Sequence, residues 1–579
     1  MSAPAPKKPE RAWLRKYPAH VPAHLEYPDR TLPELLDEAV VRWGERTALV
    51  FYRARWTYRE LAGAVDRFAA ALAREGVGAG DRVALVLPNC PAYPIAFFAT
   101  VRLGASVVQV NPLWVADDLE RLLHDAAPKA AVTLETSYPN LTHGPSGRAI
   151  PVVFVARLRT FYPPLARPFV HLALRRRGLP TAFPTDARVR RWVDALRTPG
   201  PGPRYRGDPA TLVAVLQYTG GTTGTSKAAM LTHRSLLANV LQTDAWNTTR
   251  EPGREVFLAS IPFFHVYGLT VAFLLAIAEG GTIVLQLRPE PREMLRLIDR
   301  YRPTQLPAVP AVYAGLLGRP ELPRYHVGSI RYCVSGSAAL PSDVQRRFEE
   351  VTGGSLVEGY GLTEASPVTH VNPVEGERRM GSIGLPLPDT DQRVVEPDGD
   401  RPLPVGEVGE LEVRGPQLML GYYQQPEETR AVLDGGWLRT GDLARLDEDG
   451  YAYIVDRKKD VIDVGGLKVY PREVEEVLRR HPAVADVAVV PAPDPVLGEV
   501  PRAYVVRAPG ATVEPDTLIA FVREHLAHYK APRDVEFRSA LPKSAVQKTL
   551  RRELRDEAFR SAAGSPAGSA PSAPGRRPA

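Results

Sequence analysis

The run from Tyr218 to His233, YTGGTTGTSKAAMLTH, places three glycines, six serine or threonine hydroxyls and one lysine between an apolar stretch and a helical pattern. Glycines let backbone approach an anion closely, hydroxyls and free N–H groups donate to it, and a lysine supplies charge. Thr219, Gly220, Gly221, Thr222, Thr223, Gly224, Thr225, Ser226 and Lys227 therefore read as a strand–loop–helix that holds phosphate. A plain polar turn is the alternative, and this density of Gly, Thr and Lys weighs against it. The loop is not a Walker A loop, which needs G-x-x-x-x-G-K-[ST]. Here Ser226 precedes Lys227 and Ala228 follows it.

Five more segments follow in order: FFHVYGL at 263–269, VSGSAAL at 334–340, EGYGLTEASP at 358–367, GWLRTGDLARLDEDGYAYIVDRKKD at 436–460 and LPKSAVQKTLRREL at 541–554. With the loop they resemble the adenylate-forming superfamily, which includes acyl- and aryl-CoA ligases, peptide-synthetase adenylation domains and firefly luciferase. KPERAWLRKYPAHVPAHLEYPDRTLPELL, LPNCP at 87–91, VVQVNPLW at 107–114 and LQYTGGTTG are further similar to bacterial long-chain fatty-acid–CoA ligases (acyl-CoA synthetases). Gly220 stands where many relatives carry Ser.

The resemblance covers nearly the whole chain except the tail. It implies ATP-dependent ligation of a long-chain fatty acid to coenzyme A through an acyl adenylate, releasing AMP and pyrophosphate, with Mg²⁺ as cofactor. Activation of another acid or acceptor stays open beside it: a medium-chain or aryl acid, or a carrier protein. So does a nucleotide- or lipid-binding protein that has lost catalysis. A built-in carrier is not indicated, because no Gly-Gly-His-Ser-Leu segment follows the small domain.

A carboxylate is a poor acyl donor because its leaving group would be oxide. Attack on the α-phosphate of ATP converts that oxygen into AMP, which a thiol can displace. The first step must hold two anions together and neutralise charge on phosphate. Lys227, Thr222 and Thr223 suit the phosphates, and Glu364 with Thr223 suits Mg²⁺, a hard cation.

The resemblance gives Gly336, Ser337 and Ala338 to the adenine side. It gives Glu358, Gly359, Tyr360, Gly361 and Thr363 to adenine, α-phosphate and metal. Asp442 falls to the ribose hydroxyls and Arg457 to ribose and phosphate. Lys548 bridges carboxylate and nucleotide, Lys459 is the hinge, and Gly465 and Gly466 lie on the CoA path. Phe264, His265 and Tyr267 form the acyl-pocket cluster, His265 counting as catalytic with Lys548, Glu364 and Lys227. Apolar residues from Val266 to Ala278 are candidates to line the chain-binding tunnel. Two departures stand out: Ala228 and Gln547 each replace a Gly. A positive φ at 228 would strain Ala.

These residues need elements to hold them. Thr57 and Glu60 form a capping box that opens a helix to about Glu75. RVALVL at 82–87, VVQV at 107–110 and AAVTL alternate with helices near 92–103 and 116–126. LVAVLQY at 212–218, VFLAS at 256–260 and TIVLQL at 282–287 continue the pattern, which indicates βαβ units. The fold class is α/β, with a large N-terminal domain of doubly wound βαβ sheets at 31–458. Asp-Gly and Pro-rich turns mark a β-rich subdomain at about 385–455. A small α+β domain with two helices spans 459–560, and the resemblance implies that it is a mobile lid. Residues 1–30 read as an extension and 561–579 as a disordered Ala/Ser/Gly/Pro tail.

The 579 residues are 44% apolar and 24% charged, ordinary for a globular protein. Two cysteines, Cys90 and Cys333, exclude a disulfide framework and a cysteine zinc site. Of the net charge of +7, residues 1–16 contribute +4 and the tail +2. With those termini read as loose, nucleic acid is not expected as a partner. The N-terminus lacks a signal-peptide core, and LTVAFLLAIA at 269–278 reads as a buried helix rather than a span. A cytoplasmic location follows. The acid-free, basic and aromatic stretch 157–177 leaves two readings level: a peripheral contact with anionic lipid at the membrane's inner face, or a solvated face. Oligomeric state stays open, a homodimer included.

Overall fold

The computed structural model describes residues 11–219, 227–544 and 548–564. The loop residues Gly220 to Ser226, Gln547 and the tail beyond 564 lie outside them.

Apolar β-branched runs form the first sheet. Its seven strands run in the order Val189–Arg191, Val152–Ala156, Ala130–Leu134, Arg82–Val86, Ser106–Gln109, Val213–Thr219 and Lys227–Thr232. The first six are parallel and the last antiparallel. Three of them, VVFVA, AAVTL and SVVQ, are buried at every residue, as strands covered on both faces must be. The helix Tyr58–Arg74 opens on the expected Thr57–Glu60 capping box.

A second sheet sets Val256–Ala259, Thr282–Leu285 and Thr47–Phe51 in parallel, with Ala54–Thr57 antiparallel at its edge. Bridges through Gln305 continue it into a third sheet, which begins with Tyr332–Ser335 and Ser355–Gly361. The helix Ala92–Arg102 is buried along its whole length. Arg102 at its end, 1% exposed, is paired with Asp66 and, at 2.7 Å, with Asp37.

An antiparallel five-stranded sheet follows: Asp391–Val395, Gly409–Arg414, Trp437–Leu446, Leu433–Asp434 and Ala452–Arg457. After a short turn, Lys458–Asp460, another five-stranded sheet forms around the long hairpin Val484–Asp494 and Gly498–Arg507. Helices Pro471–Arg479, Pro515–His525 and Arg551–Gly564 pack with it.

Three expectations need correction. The segment after Val213–Thr219 does not run from loop to helix. It returns as the antiparallel strand Lys227–Thr232, and the helix His233–Trp246 begins after that. The pattern AAMLT was too short to separate strand from helix start by periodicity. The small domain holds three helices rather than two, since RRELRDEAFRSAAG is helical through Gly564, into the segment read as tail.

The extension is also not loose from Arg11 onward. Trp13 is buried, Arg11 pairs with Asp391 at 2.7 Å and Lys16 with Glu377 at 2.9 Å. Tyr17 donates to the Pro386 carbonyl at 2.6 Å, and Leu25 N–H and Tyr27 donate to Asp389 at 2.8 Å each. Two of the terminal cations are thus neutralised, Arg11 by the β-rich sheet and Lys16 by Glu377 in the loop before it. Lastly, the buried apolar run is helical as expected, but Gly268–Leu274 is wound as a π turn before the α-helical Leu275–Ala278. Such turns gather at functional sites.

Candidate functional site

Two clusters collect most of the sequence-selected residues. The first surrounds Lys227. Thr219 ends one hairpin strand, its hydroxyl donating to the Lys227 carbonyl at 3.3 Å. Lys227 opens the return strand, its ammonium paired with Glu428 and 5.3 Å from the Tyr422 ring centroid. Tyr422 donates to Glu364 Oε1 at 2.7 Å. Segment 419–423 laces these together: Met419 N–H donates to the Glu364 carbonyl at 2.7 Å, and Tyr423 N–H to the Ala228 carbonyl at 2.8 Å. Ala228 is a buried strand residue paired with Tyr218 and carries no positive φ. The condition under which Ala would be strained there is therefore not met. Sequence reasoning missed Tyr422 and Glu428; the only signal was the aromatic pair and acidic run in GYYQQPEET.

The second cluster surrounds Asp442. Tyr360 donates to its Oδ2 at 2.6 Å, and Arg457 Nε lies 3.6 Å from its Oδ1. Asp442 and Arg457 are cross-strand partners, so register alone sets them together. Lys548 is tied to Ser544, its N–H donating to Ser544 Oγ at 3.2 Å and its carbonyl accepting Ser544 N–H at 2.8 Å. Burial, then the Arg457 charge, push its ammonium down to about 7, while Asp442 pulls the other way. Lys459 is pushed down to about 8, first by burial and then by Arg457. Crowded cations half-stripped of water favour an anion between them.

His265 faces the same place. Burial, then the Lys548 charge, lower it to about 4, so the imidazole is neutral at pH 7. Its Nδ1 accepts Tyr267 N–H at 3.2 Å, which leaves the proton on Nε2 as a donor. Phe264, buried, offers its carbonyl to Gln217 at 3.1 Å.

The adenine-side glycines are close-approach points. A Cβ on Gly336 would lie 3.2 Å from the Tyr267 ring, and that ring's hydroxyl donates to the Val334 carbonyl at 2.7 Å. Ser337 beside it and before Ala338 takes φ +69°. Glu358 is buried, which pushes its carboxyl up to about 7. A Cβ on Gly359 would meet Val334 at 2.7 Å, and one on Gly361 the Pro367 carbonyl at 2.1 Å. Thr363 and Glu364 share the short turn Thr363–Ala365.

Gly465 and Gly466 stand apart from both clusters. They are the exposed two-residue turn between Ile462–Val464 and Leu467–Val469, at φ +59° and +92°. Such a hairpin turn requires those angles, which is reason enough for glycine.

This arrangement can bind a nucleotide's hydroxyls at Asp442, neutralise phosphate with Lys227, Arg457 and Lys548, and offer one carboxylate to a cation. Comparison with known proteins agrees. Residues 36–423 match the AMP-binding enzyme family, and residues 473–548 match the AMP-binding enzyme C-terminal domain. A long-chain-fatty-acid–CoA ligase of Bacillus subtilis (strain 168) is 41% identical over 95% of this chain and 98% of that protein. One of Yersinia pestis is 40% identical with the same coverage. The solved anthranilate CoA ligase AuaEII in complex with anthranoyl-AMP superposes with a TM-score of 0.81 at 26% identity, over 93% of this chain and 99% of that one.

Proposed function

The chain belongs to the AMP-binding enzyme family, and from that premise we propose that it is a long-chain fatty-acid–CoA ligase that works through an acyl adenylate. The acid's carboxylate oxygen attacks the α-phosphorus of ATP, and pyrophosphate leaves with the bridging oxygen. The sulfur of CoA then attacks the acyl carbonyl, and AMP leaves. The observation that carries the reading is the crowding of Lys548, Arg457 and Lys459 around the Asp442 carboxylate.

In the first step Asp442 accepts the ribose hydroxyls, held in place by Tyr360. Lys548 lies between carboxylate and α-phosphate and offsets the charge that builds there. Lys227 leaves Glu428 for the β- and γ-phosphates. Neutral His265 donates from Nε2 without adding a charge that would repel Lys548. Rotation about Lys459 then removes Lys548 and admits CoA past the Gly465–Gly466 turn.

Mg²⁺ fits Glu364. Tyr422 occupies one carboxylate oxygen and leaves the other, and this ion takes one or two carboxylates with the rest of its shell from phosphates and water. Bound there, it would screen phosphate charge.

No helix among the described residues is long and apolar enough to cross a membrane. The helix Arg167–Arg176 supports a peripheral contact instead. Phe169 at 74% exposure and the exposed Leu172 stand three residues apart on this helix, and Leu165, in the short turn Pro164–Ala166 just before it, is 90% exposed. Residues 136–185 hold seven arginines and no acid. An apolar ridge flanked by cations matches an anionic bilayer.

A panel of free acids from C6 to C20, with benzoate and acetate beside it, tests the substrate through CoA-dependent AMP release. Acids of about twelve carbons or more should give the highest kcat/KM, because each buried CH₂ is worth up to about 0.8 kcal/mol. An aryl acid or acetate in front would refute the fatty-acyl reading.

A further inference from the structure

The helix Pro471–Arg479 opens without a cap of its own. Tyr470 stands at its N-cap and accepts no backbone N–H through its side chain. Pro471 has no N–H to give. The first free donor is Arg472 N–H, which goes to Oδ2 of Asp456 at 2.8 Å.

Asp456 lies across the hinge, on the strand Ala452–Arg457 of the β-rich sheet, and is 1% exposed. Its Oδ1 accepts Arg457 N–H at 2.7 Å. Arg472 Nη1 adds a bond to the Ile454 carbonyl at 3.3 Å. One turn further along the helix, Glu475 takes both of its 2.7 Å contacts from Arg551 Nη2 and accepts Val489 N–H at 2.9 Å. Arg551 comes three residues after Lys548. A continuous path of bonds thus runs from the β-rich sheet through a helix N-terminus to the lysine's own segment.

We propose that Asp456 is a positioning residue: it caps the helix Pro471–Arg479 across the hinge and, through Glu475 and Arg551, seats Lys548 over the nucleotide site. The hinge Lys458–Asp460 lies between Asp456 and Arg472. Asp456 stays with its sheet, so any rotation that swings Lys548 out also pulls Arg472 N–H away. The bond therefore belongs to the adenylate-forming arrangement alone, and its loss leaves a helix end uncapped and a carboxylate without its partner. The inference rests on the reading that Lys548 serves the first half-reaction only.

Asp456→Ala is assayed in both half-reactions: pyrophosphate exchange, and CoA-dependent consumption of supplied acyl-AMP. Exchange should fall about tenfold in kcat with little change in KM for ATP, while acyl-AMP consumption is unchanged or faster. Trypsin should cut faster at Arg457 to Lys459. Asp456→Asn, which keeps an acceptor oxygen, should retain most of the exchange. Adding Tyr470→Asp to Asp456→Ala supplies a local cap. It should restore melting temperature but not exchange; recovery of exchange would mean the bond merely stabilises the helix and would overturn the proposal. Equal loss of both half-reactions would overturn it too. Lys548→Ala, run in parallel, separates the two ideas. If it fails to divide the half-reactions, the role given to Lys548 falls and the proposal with it. If it divides them and Asp456→Ala does not, Asp456 alone is wrong.

Discussion

Nucleotide binding should draw a proton onto Lys548, and the amount can be worked out. Burial and Arg457 hold the ammonium at about 7. At pH 8 about one site in ten then carries the proton. A polyphosphate beside the amine favours its charged form and returns it toward the ordinary lysine range. Each site should therefore take up about 0.9 proton at pH 8. The sign follows: the bound state holds more protons than the free one, so ATP affinity declines as pH rises above 7, by up to about tenfold per unit. Titration calorimetry at pH 8 in two buffers of different ionisation enthalpy measures the uptake directly. Lys548→Arg is the control, because an arginine is charged in both states. It also leaves Lys459, held at about 8, in a similar field, so residual uptake reports that residue. Uptake by the natural chain no larger than that of Lys548→Arg would refute the account.

Ala228→Gly should leave kcat for acyl-CoA formation unchanged and cost about 1 kcal/mol of stability, since a buried strand position loses its Cβ and gains chain freedom; a faster enzyme would show that the site wanted glycine after all. Replacing Phe169 and Leu172 by Glu should lower flotation with phosphatidylglycerol vesicles more than tenfold while pyrophosphate exchange is kept. Equal flotation of the variant would remove the Arg167–Arg176 helix as the contact.

The sequence made the α/β class, the order of βαβ units and the long apolar helix legible, because each is written in local period. Thr57 with Glu60, or the short apolar-rich run AAVTL, needs no distant partner to be read. The hairpin at Lys227 was not legible: its return strand is fixed by Tyr422 and Tyr423, almost 200 residues later, through backbone bonds that no side-chain pattern announces. Asp442 and Arg457 could be chosen by likeness to relatives, yet their pairing is a matter of register between two strands. Glu428 and Tyr422 were missed for the same reason, with only the aromatic pair and acidic run of GYYQQPEET to mark them. A lysine's ion partner across the fold leaves no trace in the spacing around the lysine. Gly465 and Gly466 show the opposite limit, since a turn geometry alone accounts for residues that resemblance assigns to a ligand path.

The strap formed by residues 11–27 ties the earliest part of the chain to Pro386, Asp389 and Asp391, between 362 and 380 residues downstream. During synthesis Trp13 and Tyr17 leave the ribosome long before these partners exist; Trp246, against whose ring Tyr17 packs at 5.1 Å, comes sooner but leaves the hydrogen bonds unmade. At roughly 5–20 residues per second the wait is on the order of 20–75 s. The first two sheets can form in that interval, but the seam between them and the β-rich sheet closes only when its far side has been made. An aromatic segment kept waiting in this way is a natural place for a nascent-chain chaperone to hold, and a bulky fusion placed at the N-terminus would load the last step of folding rather than the first.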